Sequence, residues 1–308
     1  MTKILKTLCV CGAITFLLAF AAIFLISSTA LSPSRPTLIR PATWIPLLDM
    51  NLTKWGTYLS FSHKPDYNGK APVDENGKEL VPAGYNKDPK KVFSMSEEQG
   101  EPVLHVSGEL YGCVFTKQEY ENFDLKLKIR WGTKMFGPRV GKLKDSGVLY
   151  YSQGEAGVDY WRAWMLSQEF QIMDGHMGDY WNISSSAADI RAYLPEGRMN
   201  SIANAKQLFL PFGAGNTEGL CLASGHDEKP LGEWNSIELI CYQGKSIHIV
   251  NGQVVMVLKN SRYVDHGTTR PLVKGKIQLQ SEGSEVYFKD VEIIKLIAMP
   301  DKYANYFN

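Results

Sequence analysis

The chain has 308 residues, of which 44% are hydrophobic and 21% charged, and a formal net charge of +1. This composition supports one large folded domain or two small ones and excludes wholesale disorder. It shows neither a basic excess nor a clustered basic stripe, so no nucleic-acid partner is expected.

Lys3 and Lys6 precede an uncharged run from Leu8 to Ile26, and Ser28-Thr29-Ala30 follows as a small-x-small cleavage pattern. Residues 1–30 read as a secretory signal peptide. A run of about 19 apolar residues also approaches the length of a membrane span, so an uncleaved anchor is the alternative. In either case the rest of the chain is expected outside the cytoplasm: periplasmic, extracellular or anchored facing outward. The anchor would be its only membrane contact. Residues 31–43, rich in Pro, Ser and Arg, read as a linker. Cys113, Cys221 and Cys241 form no C-x-x-C pair, so zinc is not suggested. They read as buried small hydrophobes, with one disulfide as the alternative.

A single domain is expected over residues 44–297, with a C-terminal tail at 298–308. Within it, residues 63–99 are dense in Lys, Asp, Gly and Pro and read as a long surface insertion or lid. Phe123 to Arg130 alternates apolar and polar residues with period two, as a half-buried strand does. Gly147 to Tyr151 and Gln168 to Met173 follow as two more strands. Ile237 to Tyr242 and Ser246 to Val250 flank turns at Gln243-Gly244 and Asn251-Gly252. Asn-Gly between apolar runs is a strong hairpin signal, because both turn residues need positive φ. Gly275 to Gln280 and Val286 to Leu296 complete the series. Many short strands separated by turns predict an all-β sandwich or barrel.

Phe170 and Ile172 should face the core, which turns Glu169 and Gln171 to the opposite face of their sheet. Asp174, His176, Asp179 and Trp181 follow within the glycine-containing run Asp174–Trp181. Carboxylates, an amide, an imidazole and an indole make a mixture suited to sugar hydroxyls and to the apolar faces of pyranose rings. A solvated strand face with a turn is the plainer reading. The preceding stretch holds Asp159, Tyr160, Trp161, Arg162 and Trp164; either tryptophan is a stacking platform or a core residue. Arg162 suits an oxygen or a carboxylate. Trp234 reads as a core anchor. Gln280 and Glu282 fit either the ligand face or a solvated edge.

Asp145-Ser146-Gly147-Val148, Glu169-Phe170-Gln171-Ile172, Gly178-Asp179-Tyr180-Trp181, Gly232-Glu233-Trp234-Asn235, Asn251-Gly252, Gly275 to Gly283 and Val286 to Val291 occur in an order and spacing that resemble the 3-keto-disaccharide hydrolase family, also called DUF1080. The resemblance covers residues 44–297. It implies a concanavalin-like jelly-roll β-sandwich of two antiparallel sheets, one of them facing the ligand. The family pattern usually has Asn where this chain has Asp145, and commonly His where it has Glu282. An Arg often follows the Gly147 strand, where this chain has Tyr151 and Ser152.

The resemblance implies cleavage of glycosides already oxidised at C3, with a small carbohydrate as the partner. A C3 ketone acidifies the C2 proton, so the C1 substituent can leave by elimination and water can add back. Such a site needs a base near C2, donors for the enolate oxygen and an acid for the leaving group. On this reading Glu169 is the base or a metal-coordinating carboxylate. Asp174 and Asp179 are second acids or metal ligands, and His176 is a proton donor. Gln171 and Arg162 bind hydroxyls or the carbonyl oxygen, Trp181 stacks on the ring, and Tyr151 joins the substrate-binding set. A hard divalent ion such as calcium suits these oxygen ligands. The alternatives are a non-catalytic carbohydrate-binding module and a conventional sandwich glycosidase. The latter wants two carboxylates close together on one strand face, and Gln171 stands where the second would be.

Overall fold

The computed structural model describes residues 43–216 and 218–308. The expected signal or anchor segment, and all of the expected linker but Thr43, lie outside the described residues. Strand alternation builds two sheets. The first runs, in spatial order, Gly84–Tyr85, Trp55–Leu59, Gly112–Thr116, Lys276–Ser281, Asp145–Gln153, Leu166–Met173, Tyr180–Ile183, Leu220–Leu222 and Ser201–Ala203. The second runs Phe93–Glu98, Glu101–Val106, Ser284–Lys295, Phe123–Met135, Asn235–Tyr242, Lys245–Val250, Gln253–Asp265, Ser186–Tyr193 and Phe209–Gly213. Ser186–Tyr193 also pairs with Ser201–Ala203 and so joins the sheets along one edge. Every pairing named is antiparallel except that of Ser201–Ala203 with Leu220–Leu222. This is a jelly-roll β-sandwich.

The core lies between the sheets. Val114, Val148, Phe170 and Leu279 of the first sheet meet Leu125, Leu127, Leu239 and Phe288 of the second. Period-two alternation therefore aims the intervening residues of the first sheet at its outer face. The hairpin signals hold: Gln243, Gly244, Asn251 and Gly252 all have positive φ, in two-residue loops that set the pairs Tyr242 with Lys245 and Val250 with Gln253. Cys113, Cys221 and Cys241 are free and buried.

Two segments read as irregular carry structure. Within residues 63–99, Phe93–Glu98 pairs with Glu101–Val106, and Gly84–Tyr85 extends the edge beside Trp55–Leu59. In the tail, the short helix Asp301–Ala304 places Tyr303 over Ile240, Ile247 and Ile249 on the outer face of the second sheet.

Candidate active site

Asp145–Gln153 lies between Lys276–Ser281 and Leu166–Met173. A Cβ on Gly147 would land on the Gln280 amide and on the Glu169 carboxylate. Only glycine leaves room for these two long side chains to converge over the strand between them. Gly137–Arg139, a single turn with Pro138 inside it, brings Arg139 to the end of the same strand. Its guanidinium contacts the Asp145 carboxylate and donates to Glu282 Oε1 at 2.6 Å. Gly283, at φ +74°, allows the turn, because a side chain there would strike Arg139 Cγ and the Phe136 carbonyl. The Tyr111 hydroxyl lies beside Arg139 and Glu282.

This floor is polar, buried and incompletely paired. Among the described residues, twelve buried side-chain polar atoms lack a hydrogen-bond partner. Seven of the twelve belong to Tyr111, Arg139, Asp145, Glu169 and Gln280, although one of these, Asp145 Oδ2, lies against the Arg139 guanidinium. Each such atom costs about 1–3 kcal/mol if left unmet, so their concentration in one place marks a surface built to be completed by a ligand. A larger groove, about 790 Å³, lies along the outer face of the second sheet. It is lined by residues such as Lys126, Lys128, Glu238 and Asp290. None of its lining residues has an unmet buried atom, which is why the smaller cleft is the candidate.

Burial, above all, lifts the Glu169 carboxyl well above the usual carboxylate range. The Glu282 charge pushes the same way, Gln280 and Arg139 pull back, and Asp159 adds a smaller push. Burial therefore favours the neutral acid of Glu169 over its carboxylate. Burial also raises Glu282, against the pull of Arg139.

The cleft above this floor measures about 530 Å³ and is walled by Tyr160, Trp161, Trp164, Trp181 and Asp159. Trp181 pairs in register with Glu169, and the residue is 38% exposed. Asp159 accepts backbone N–H bonds from Trp161, Ala163 and Trp164 at 2.7–2.8 Å and so shapes the loop. Trp164 is buried on the outer face against Cys113 and Leu149 and donates its indole N–H to the Gly112 carbonyl. Trp161 stays half-buried, with Tyr67 from the insertion stacked on it at 5.2 Å. Tyr67 and Tyr160 exchange hydroxyl-to-carbonyl bonds of 3.0 and 3.1 Å, which clasp the insertion to the cleft rim.

Of the residues singled out from the sequence, Trp161, Trp164, Glu169, Trp181 and Glu282 line this cleft, together with Asp159 and Tyr160. Gln171 shares Glu169's face, but its amide oxygen accepts from Ile172 N–H in its own strand. Tyr151 sits in the inter-sheet core: a bulge and a φ of +55° break the alternation that would have turned it outward. Arg162 is exposed and lies beside Tyr67, outside the cleft wall. Asp174, His176 and Asp179 occupy the neighbouring loop. Asp179 accepts from Ala223 N–H at 2.6 Å and pairs with His176 at 3.2 Å. Burial raises its carboxyl, against those two partners. Among the described residues no group of three or more His, Cys, Asp or Glu side chains stands together in a way that could hold a metal ion. Arg139 and Tyr111 escaped the sequence reading. Gln280 and Glu282, expected either on the ligand face or at a solvated edge, both stand in the floor.

A family model for the 3-keto-alpha-glucoside-1,2-lyase-like domain matches residues 43–294. Among solved structures, the chain is similar to a protein of Parabacteroides distasonis ATCC 8503 provisionally described as a glycosyl hydrolase. They are 21% identical over 82% of this chain and 100% of that chain, with a TM-score of 0.44. It is also similar to a Bacillus subtilis protein of unknown function with a galectin-like fold (11% identity, 82% of this chain, 94% of that chain, TM-score 0.37). A third is a Bacillus licheniformis beta-glucanase (10% identity, 83% of this chain, 98% of that chain, TM-score 0.36). No curated protein matches the chain. The chain belongs to the 3-keto-alpha-glucoside-1,2-lyase-like family and is carbohydrate-active in character.

Proposed function

We propose that this protein is an exported enzyme that cleaves 3-keto-glycosides by elimination across C1 and C2, followed by addition of water. The observation that carries this reading is the buried, unmet polar floor of Tyr111, Arg139, Asp145, Glu169 and Gln280 beneath an aromatic-walled cleft. Trp161 and Trp181 cover the apolar faces of the sugar, and the floor takes its oxygens.

The two carboxyl groups divide the proton work, because their surroundings differ. Glu169, kept neutral by burial, donates a hydrogen bond to the C3 oxygen as that oxygen becomes an enolate. This reverses the role of base expected for Glu169 from the sequence. Glu282, lifted by burial to about 7 against the pull of Arg139, takes the C2 proton in its ionised form. The C2–H electrons form the enolate, and its collapse expels the C1 substituent. Glu282 passes the proton to the departing oxygen. It next takes a proton from water as the water oxygen bonds to C1, and delivers that proton to C2.

The test follows a 3-keto glucoside beside its unoxidised parent by NMR, with and without EDTA. The expected result is cleavage of the oxidised sugar alone. Cleavage of both would reassign the protein to the conventional glycosidases, and binding without cleavage to the carbohydrate-binding modules. The EDTA arm reports whether a hard divalent ion such as calcium takes part.

A further inference from the structure

We infer that the cleft sorts sugars by charge, accepting neutral and amino sugars and rejecting acidic ones such as uronates and sulfated or phosphorylated sugars. The inference rests on the sugar-site reading above. Four carboxyl side chains, Asp145, Asp159, Glu169 and Glu282, converge on the cleft and its floor, and one cation, Arg139, answers them. The same terminal nitrogen of Arg139 serves both Asp145 and Glu282, and its Nε is buried. The single positive charge of Arg139 is therefore already shared between two buried carboxylates. No lysine lines the cleft, and Arg162 lies outside its wall. Burial raises Asp159 and lifts Glu282 to about 7, so the excess of carboxylate over the single cation grows as pH rises through neutrality.

All four carboxyl residues are at most 8% exposed, so solvent screens them poorly. A carboxylate, sulfate or phosphate on the sugar would enter this field without a counter-charge. An ammonium would find carboxylates below it and the faces of Trp161 and Trp181 beside it. Discrimination then comes from the repulsive contact as much as from the attractive one.

The experiment titrates the full chain with methyl glucoside, the matching glucuronate and the 2-amino sugar by ligand-observed NMR, near neutral pH and at two salt concentrations. The amino sugar should bind at least as tightly as the neutral parent. The uronate should bind about tenfold more weakly or worse, and the gap should narrow with salt and in Glu282→Gln. A melting curve reports whether that variant is folded; if it is not, the salt series on the unaltered chain decides. A uronate that binds as well as the neutral sugar overturns this inference and leaves the sugar site standing. If no sugar of any charge binds, the sugar-site reading falls and this inference falls with it.

Discussion

Glu169 and Gln280 meet above a strand that carries neither of them, because Gly147 between them has no side chain. The pairing register sets this up. Gly147 stands opposite Gln171 on one flank, and Val148 opposite Leu279 on the other, so the two polar residues lean toward the same gap. Gly147→Ala should close it. We expect a loss of about 1–3 kcal/mol of stability from overpacking and loss of sugar binding, with the strand content unchanged by circular dichroism.

Glu169→Met keeps the length of the side chain and removes its hydrogen-bond donor. Binding of a non-reacting sugar should persist, while turnover of a 3-keto glucoside falls about 100-fold or more. Unchanged turnover would remove Glu169 from the reaction.

Arg139 holds two buried carboxylates, so its loss should be felt in stability as well as in binding. Arg139→Met should cost about 3–5 kcal/mol in a urea titration at neutral pH, because Asp145 and Glu282 are left buried without a partner. Protonating them relieves that repulsion, so the deficit should shrink in mild acid. A deficit that does not change with pH would show that Arg139 acts through packing alone.

His248 is fully buried and stacks on Phe170 at 4.3 Å. Nδ1 lies 3.0 Å from the Gly178 carbonyl, which only accepts, so Nδ1 carries the proton and Nε2 accepts from the Tyr150 hydroxyl at 3.1 Å. Burial lowers its pKa from the ordinary 6.5 to about 3. The folded value lies below the unfolded one, so the stability contributed by His248 is full above about pH 6.5 and is lost as pH falls toward 3. Nitrogen-15 NMR should show a neutral ring protonated at Nδ1 throughout the upper part of that range. A ring titrating near 6.5 in the folded protein would contradict the arrangement.

Much of the sandwich was legible because it rests on local alternation: Phe123 to Arg130 and Gln168 to Met173 have one apolar face each, and Phe170 and Ile172 point where period two requires. Alternation failed at Tyr151, where a bulge turned a tyrosine inward at positive φ, a conformation its residue type does not favour. Closeness in sequence was also misleading. Asp174, His176 and Asp179 follow Glu169 within ten residues, yet Asp179 serves Ala223 and His176 rather than the cleft. The partner of Glu282 lies 143 residues away in the Gly137–Arg139 turn. Nothing in the composition of either turn states that the two meet; the sheet register between them does.

The central claim is chemistry at C2, and the most direct measurement is cleavage of a 3-keto glucoside in deuterium oxide, with the product read by NMR at early times against an enzyme-free control. Elimination followed by water addition predicts a product carrying solvent deuterium at C2. A product that keeps its original C2 proton would mean that the C1 bond breaks without C2 chemistry, and would contradict the account.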